Sequence, residues 1–244
     1  MSKKATQGTQ VPRRQKGDPG KQVHGRRAGD PREPWQCPFQ QSSGGLQFFL
    51  VIRKGFPVAK DFTQLGHLFE QIGDAFGSLD ILINNAASGV QRPASELTEK
   101  HWEWTMNVNA RAPWLCSIEA LRLMGEGGRI VNITSEGSRR VLPYYFSVGA
   151  SKAALEAVTR YLAVELAPSG IVVNAVSGGY VDTGALDHFP TKEKMLEAGH
   201  DTPAGRMVTP EDIAGVVAFL CTEAAEMIRG QIILVDGGVT LTAG

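Results

Sequence analysis

Four short apolar runs constrain this chain more than anything else in it: LDILI (79–83), RIVNI (129–133), IVVNA (171–175) and QIILV (231–235). None alternates strictly between apolar and polar residues, so each reads as a strand buried on both faces, as in a parallel sheet. The segments between them have helical character. Phe62, Leu65, Leu68, Phe69, Ile72 and Phe76 repeat at helical spacing, and Gly77 stops that helix. A second helix is expected over about 98–124, interrupted near Pro113, and a third from near Ser147. Thr209 reads as the N-cap of another, with Pro210 at its first position and Glu211 and Asp212 at its positive end. Strands alternating with helices predict the α/β class, a doubly wound parallel sheet whose ligands sit at the carboxyl ends of the strands.

Charge divides the chain in two. Formal net charge is zero over 244 residues, yet residues 1–60 carry 12 Lys or Arg against 3 acids and the remainder 13 against 22. Residues 1–45, rich in Gly, Pro, Gln, Lys and Arg without apolar periodicity, read as a disordered basic tail. Residues 46–52 (LQFFLVI) read as one strand, bounded by Arg53-Lys54-Gly55. A basic arm can hold nucleic acid, but no recognition fold accompanies this one, so nucleic acid is not an expected partner. The organisation is therefore an atypical basic segment, 1–60, and an α/β portion, 61–244. Hydrophobic content of 42% is enough for a large core. Cys37, Cys116 and Cys221 are odd in number and lack metal-ligand spacing, which suits a reducing compartment and argues against a disulfide framework or metal site. No apolar run has the length to cross a membrane and no signal-peptide core opens the chain, so the expected location is the cytoplasm.

Three strand ends carry polar or small residues: Asn84-Asn85-Ala86-Ala87-Ser88, Thr134-Ser135 and Ser177-Gly178-Gly179. In a parallel sheet they form one rim. Beside them Tyr144 and Tyr145 stand at the mouth of the third helix, with Lys152 in its first turns. Seven positions separate Tyr145 from Lys152. Seven steps of about 100° come almost full circle, so helical phase puts both on one face about 10 Å apart. A phenol, an ammonium and a hydroxyl converging there can stabilise an oxyanion or donate a proton. The plain alternative is loop packing for the tyrosines, a solvated lysine and a Ser135 cap.

These residues resemble the short-chain dehydrogenase/reductase family, and the resemblance covers about 61–244. It rests on Asn84-Asn85-Ala86-Ala87 after a strand, Asn109 in the next helix, Ser135 after the next strand, Lys152 in a helix, and the closing Val235-Asp236-Gly237-Gly238. The family's usual tyrosine lies four residues before the lysine, where this chain has Val148. Tyr145, a turn earlier, takes its place, and that spacing resembles the enoyl-thioester reductases of the family. NNAASGVQRP, SVGASKAALEAVTRYLAVEL, VNAVSGG and TPAGRMV resemble the FabL-type enoyl-acyl-carrier-protein reductases.

The resemblance implies NADPH rather than NADH as cofactor, trans-2-enoyl thioesters of acyl carrier protein or coenzyme A as substrates, and a homotetramer. Tyr145 would hold the enolate oxygen, Lys152 the cofactor ribose, and Ser135 the substrate or the nicotinamide carboxamide. Asn109 would steady the helix backbone near the lysine, often through water in the family. Asn85, Ala86 and Ala87 would admit the adenosine ribose, and Gly178, Gly179, Val181 and Thr183 would line the nicotinamide and phosphates. Gly178 replaces the family's common proline. Trp102 and Trp104 are expected in helix-face or interface packing, and 186–206 as a mobile substrate lid. The spacing also has a chemical logic of its own. In enoyl reduction hydride goes to C3 while charge develops on the oxygen at C1, so the stabilising hydroxyl must stand farther from the nicotinamide than in carbonyl reduction.

One family feature is missing. No glycine-rich turn follows a first strand, where backbone amides would approach a pyrophosphate. Without a central strand, the strand at 79–83 is expected to have a bare edge. Residues 1–60 have the length of the missing portion, as a segment read in a shifted frame up to about Ala59–Asp61 would. Two other functions stand beside the enoyl reductase: a ketoreductase or hydroxysteroid dehydrogenase, which Val148 opposes, and a cofactor-free binding subunit, which the absent glycines favour.

Overall fold

The computed structural model describes residues 49–52, 63–184, 186 and 192–242. The basic stretch 1–48, the Arg53-Lys54-Gly55 turn and part of the expected lid lie outside the described residues. Contacts divide the chain after Pro38, and every described residue falls in the second unit, Phe39–Gly244.

Five parallel strands form one sheet in the order β1 (Phe49–Ile52), β2 (Ile81–Asn84), β3 (Arg129–Ser135), β4 (Val172–Gly178) and β5 (Ile232–Val235). The apolar runs form strands as expected, but β3 and β4 continue through their polar ends: Thr134 pairs with Ser177 and Ser135 with Gly178. Asn84 likewise belongs to β2, opposite Asn132. The bare edge expected on β2 is a correction. The strand read at 46–52 is present as β1 and pairs with β2 along its whole length, from Phe49 opposite Ile81 to Ile52 opposite Asn84.

Helices α1 (Thr63–Phe76), α3 (Ala112–Met124) and α4 (Phe146–Glu165) pack on one side, α3 against β2 and α4 against β3 and β4. Helix α6 (Pro210–Leu220) packs on the other, where Val131 and Val176 of the sheet meet Val217, Leu220 and Ala225 in an aliphatic cluster. Its start is as read from sequence: Thr209 Oγ1 accepts from the Asp212 amide and the Asp212 carboxylate accepts from the Thr209 amide. Helices on both faces make this the doubly wound α/β fold.

Two differences from the sequence reading have local causes. The helix expected over 98–124 is interrupted near Pro113 as read, but by a wider turn and not by a break. It runs as α2 (Glu99–Met106), a π-helical turn (Asn107–Arg111) and α3. Pro113 has no N–H and its ring would strike the carbonyl four residues back, that of Asn109. The wider turn relieves this, with the Ala112 amide bonding Asn107 instead. The stretch expected to be a polar lid contains α5 (Lys192–His200), whose sequence KEKMLEAGH holds few apolar residues to announce a helix. Among the described residues no helix is long and apolar enough to cross a membrane, and no group of three or more His, Cys, Asp or Glu could hold a metal ion.

Candidate active site

Parallel strands end together, so the loops after β2, β3 and β4 share a rim. What aims side chains into it is a set of buried polar contacts on the α4 side of the sheet. Asn84 Nδ2 donates to Asn132 Oδ1 at 2.8 Å, and Asn132 Nδ2 to Thr159 Oγ1 at 2.9 Å, linking β2, β3 and α4. Asn109, wholly buried in the π turn, accepts from the Ser88 amide at 2.8 Å and donates to the Ser88 carbonyl and to Ser151 Oγ at 2.8 and 2.9 Å. The family resemblance had Asn109 often working through water. Here it clamps the loop after β2 directly to α4, one residue before Lys152.

The loop from β3 to α4 is shaped by glycine. A Cβ on Gly137 would lie 2.5 Å from the Tyr145 ring, and one on Gly149 would lie 2.6 Å from the Gly137 carbonyl. The ring therefore rests on the Gly137 backbone, and α4 approaches the β3 end closely. Helix α4 begins at Phe146 with Tyr145 as its N-cap residue, so the helical phase assumed from sequence nearly reaches the phenol. Tyr144, just before it, has φ of +62°, a strained value for a side chain of its size. The Tyr145 hydroxyl donates to Ser135 Oγ at 3.4 Å. Burial pushes the phenol pKa up, the Ser135 hydrogen bond pulls it down, and Glu136 raises it. Val148 is buried, and a Cβ on Gly89 would lie 2.2 Å from it, so that position is filled by packing against the β2 loop.

Lys152 is buried, not a solvated lysine, and its Nζ donates to the Ile133 carbonyl at 2.7 Å. Burial lowers its pKa from 10.5 to about 8, so the ammonium is still the main form at neutral pH. Gly178 closes β4, with Val181 Cγ2 where its Cβ would need 2.9 Å, and Gly179 lies against Asp236 in the same way at 2.8 Å. Val181 makes an isolated parallel bridge with Val208, and Thr183 is exposed. Asn85 is exposed and Ala86 and Ala87 half-buried, at the β2 end of the rim.

A cavity of about 130 Å³ is lined by Ser135, Glu136, Tyr145, Gly179, Val181 and Thr183, together with Leu142, Tyr180, Leu186 and Met195. The structure thus gathers Ser135, Tyr145, Gly179, Val181 and Thr183 in one space, with Lys152 behind them at β3. Asn85, Ala86, Ala87 and Asn109 stand at the neighbouring strand end and do not line it. Sequence reading missed Glu136, Leu142, Tyr180 and Met195. Only the position of Glu136 next to Ser135 could have drawn attention to it.

A family-model description, Enoyl-(Acyl carrier protein) reductase, matches residues 59–240. The chain belongs to the short-chain dehydrogenase/reductase family. It is 39% identical over 196 residues to a 1-cyclohexenylcarbonyl-CoA reductase of Streptomyces collinus, covering 78% of this chain and 70% of the relative. It is 37% identical over 199 residues to a 2-dehydro-3-deoxy-D-gluconate 5-dehydrogenase of Dickeya dadantii, covering 77% of each. Among solved structures it is similar to an enoyl-(acyl-carrier-protein) reductase of Anaplasma phagocytophilum in complex with NAD, with TM-score 0.69 and 25% identity over 76% of this chain and 71% of that one. This protein is accordingly an oxidoreductase of a family that binds NAD(P)H.

The residues fit one end of such a cofactor. An ammonium has three N–H donors, and the fold takes only one of Lys152's, leaving two to meet ribose hydroxyls at the rim. Asn84 Oδ1 is a further buried acceptor without a donor. The phosphate end differs: among the described residues no glycine-rich turn offers its amides.

Proposed function

We propose that this protein is an NADPH-dependent reductase of trans-2-enoyl thioesters, of the FabL type, working on acyl-carrier-protein or coenzyme A esters in fatty acid synthesis. The observation that carries the reading is the exchange of roles between two positions of α4. Val148 is locked in packing against Gly89, while Tyr145 presents its hydroxyl to Ser135 over the cavity. The phenol of Tyr145 is thus one turn of the helix away from the family's usual place.

A bound reduced nicotinamide supplies the hydride, which goes to C3 of the enoyl group. Negative charge then develops on the thioester oxygen, two carbons away, and is discharged when C2 takes a proton from solvent. Tyr145 donates its hydrogen bond to that oxygen, a contribution of about 3 kcal/mol for a well-placed donor. Its raised pKa keeps the phenol protonated and able to donate. Lys152 binds ribose hydroxyls, the Ser135 hydroxyl turns to donate to the phenol oxygen and so frees the one phenol proton for the thioester oxygen, and Asn109 holds the β2 loop against α4. Leu142, Leu186 and Met195 exclude water from the acyl chain. The Streptomyces relative supports this by its name, which describes reduction of a conjugated enoyl thioester. We further propose a homotetramer. Trp114, Ile118, Tyr161 and Val164 of α3 and α4 are exposed and supply apolar area for it.

A second reading is carbonyl reduction, as a ketoreductase or hydroxysteroid dehydrogenase. The Ser135–Tyr145 pair favours it, because two hydroxyls together can also hold a ketone oxygen, and the Dickeya relative is named a dehydrogenase. The deciding experiment follows NADPH oxidation with a trans-2-enoyl thioester and a 3-ketoacyl thioester side by side. Turnover of the enoyl substrate alone is expected. Turnover of the ketone alone overturns the proposal, and failure to bind NADPH favours the cofactor-free binding subunit.

A further inference from the structure

Two carboxylates lie buried beside the active-site turn, and the fold treats them differently. Glu156 of α4 is fully dressed: Ser138 Oγ, Thr134 Oγ1 and Arg139 Nε all donate to it. Glu136, immediately after Ser135, is equally buried at 4% exposure, yet neither of its carboxyl oxygens has a hydrogen-bond partner. The nearest cation, Arg140 Nη1, stands 3.9 Å from Oε2, beyond hydrogen-bond distance, and is half exposed. Its other charged or titratable neighbours are Asp236, Tyr145 and Tyr180, none of which is a cation. Arg140 pairs with Glu136 as a charge only, and leaving a buried carboxyl without a hydrogen bond costs about 1–3 kcal/mol. Nothing in the hydride transfer or in the binding of the enolate oxygen uses this group.

Glu136 lines the cavity with Tyr145, Leu142 and Met195. Its oxygens are turned away from solvent, but the terminal torsion of a glutamate is broad, and the carboxyl can turn toward a ligand at little cost. Chemistry selects what that ligand carries. A hydrocarbon chain would leave both oxygens without a hydrogen bond. An ammonium would suit only the ionised carboxylate, to which the Arg140 guanidinium at 3.9 Å already offers a cation. A hydroxyl suits either state, donating to the carboxylate or accepting from the acid.

We propose that the acyl group taken by this site bears a hydroxyl that hydrogen-bonds the Glu136 carboxyl, so that the pocket selects hydroxylated acyl thioesters over plain hydrocarbon ones. This rests on the acyl-thioester reading above and narrows it. Glu136 is a specificity residue and takes no part in hydride or proton transfer.

The test uses the full chain and saturated, unreactive thioesters. The hexanoyl thioester of N-acetylcysteamine is compared with a set of monohydroxylated hexanoyl thioesters that differ only in the carbon bearing the hydroxyl. Calorimetry should show the best hydroxylated ligand binding the wild type about tenfold more tightly than the plain one, as a hydrogen bond to a carboxyl predicts. Glu136→Leu should erase or reverse that ratio, and Glu136→Gln, which keeps a donor and an acceptor, should retain most of it. Equal ratios in wild type and Glu136→Leu overturn the proposal. So does a wild type that binds the plain ligand as tightly as every hydroxylated one, and that outcome needs no variant to fold. A wild type that reduces trans-2-hexenoyl thioester without such a preference removes this inference alone. One that neither reduces nor binds any acyl thioester removes the enoyl-thioester reading with it.

Discussion

The two faces of the sheet solve burial in opposite ways. Toward α6 the sheet is aliphatic: Val131 and Val176 meet Val217, Leu220 and Ala225, and the one buried amide, Asn174, is consumed in bonding the Ile228 carbonyl and the Gln231 amide. Toward α4 the same strands bury Asn84, Asn132 and Thr134, each tied to another element, and α4 answers with Ser151, Lys152, Glu156 and Thr159. Apolar packing is insensitive to direction and tolerates small slips. Hydrogen bonds fix distance and angle, and a slip leaves a buried group unpaired. The α6 side therefore supplies stability, and the α4 side fixes where Tyr145 and Lys152 stand.

Substitutions on the two faces should part accordingly. Tyr145→Phe should lower kcat on an enoyl thioester by about 100-fold or more with circular dichroism and melting behaviour unchanged, because only one donor to the developing charge is lost. A variant with near-wild-type turnover would remove Tyr145 from the reaction. On the other face, Leu220→Ala should destabilise by about 2–5 kcal/mol in urea unfolding, from lost burial and the cavity left behind. Its turnover per folded molecule should not change; a matching loss of kcat would mean that the two faces are not separable.

Lys152 gives the comparison a pH signature. Its pKa in the fold, about 8, lies below its ordinary 10.5, so the unfolded chain holds the proton more tightly. Stability from this group is at its lowest below pH 8 and rises as pH climbs to 10.5, by about 3 kcal/mol. Cys116 and Cys221, whose pKa values burial pushes up to about 12 and about 11, act in the opposite direction at high pH, because the unfolded thiols ionise first. The quantity to read is therefore the difference between wild type and Lys152→Met across that window. A difference that stays flat would mean that the lysine is hydrated in solution.

Asn109→Ala should cost about 1–3 kcal/mol by stranding the Ser88 amide and carbonyl. It should also lower kcat, which no change confined to the α6 cluster should do. The smallest expected effect is a gain. Tyr144→Asn should stabilise by about 1 kcal/mol, since asparagine accepts positive φ more readily and Tyr144 is 41% exposed. An unchanged melting temperature would show that the loop relaxes without cost.

The same contrast explains what could be read from the sequence. Strands β2 to β5 were legible because parallel strands buried on both faces write themselves as apolar runs. Their last residues were not: Asn84, Thr134, Ser135 and Ser177 look like turn residues. They extend the strands because ladder partners far along the chain lie opposite them, Asn132 for Asn84, Ser177 for Thr134 and Gly178 for Ser135. Tyr145, Ser135 and Lys152 were legible as a constellation through their spacing, and Val148 as a departure. That Val148 is held by Gly89, that Lys152 is buried, and that the Glu136 oxygens are left without a hydrogen bond are facts of three-dimensional neighbourhood with no local pattern. Helix α5 was hidden by its polar composition, and the covered edge of β2 by a strand that no familiar turn follows.

The π turn ahead of Pro113 has a meaning beyond relief of a clash. It holds one residue more than a regular helix needs between the same two ends. Take one residue out of 107–111 and α2 and α3 could fuse into a single regular α-helix with its two ends left in place, but the wide turn that carries Asn109 would be gone. Asn109 would then leave Ser88 and Ser151, and the loop after β2 would lose its clamp to α4. In this part of the protein a change of letter is a small event and a change of length is a large one. The wall of the active site is kept by counting.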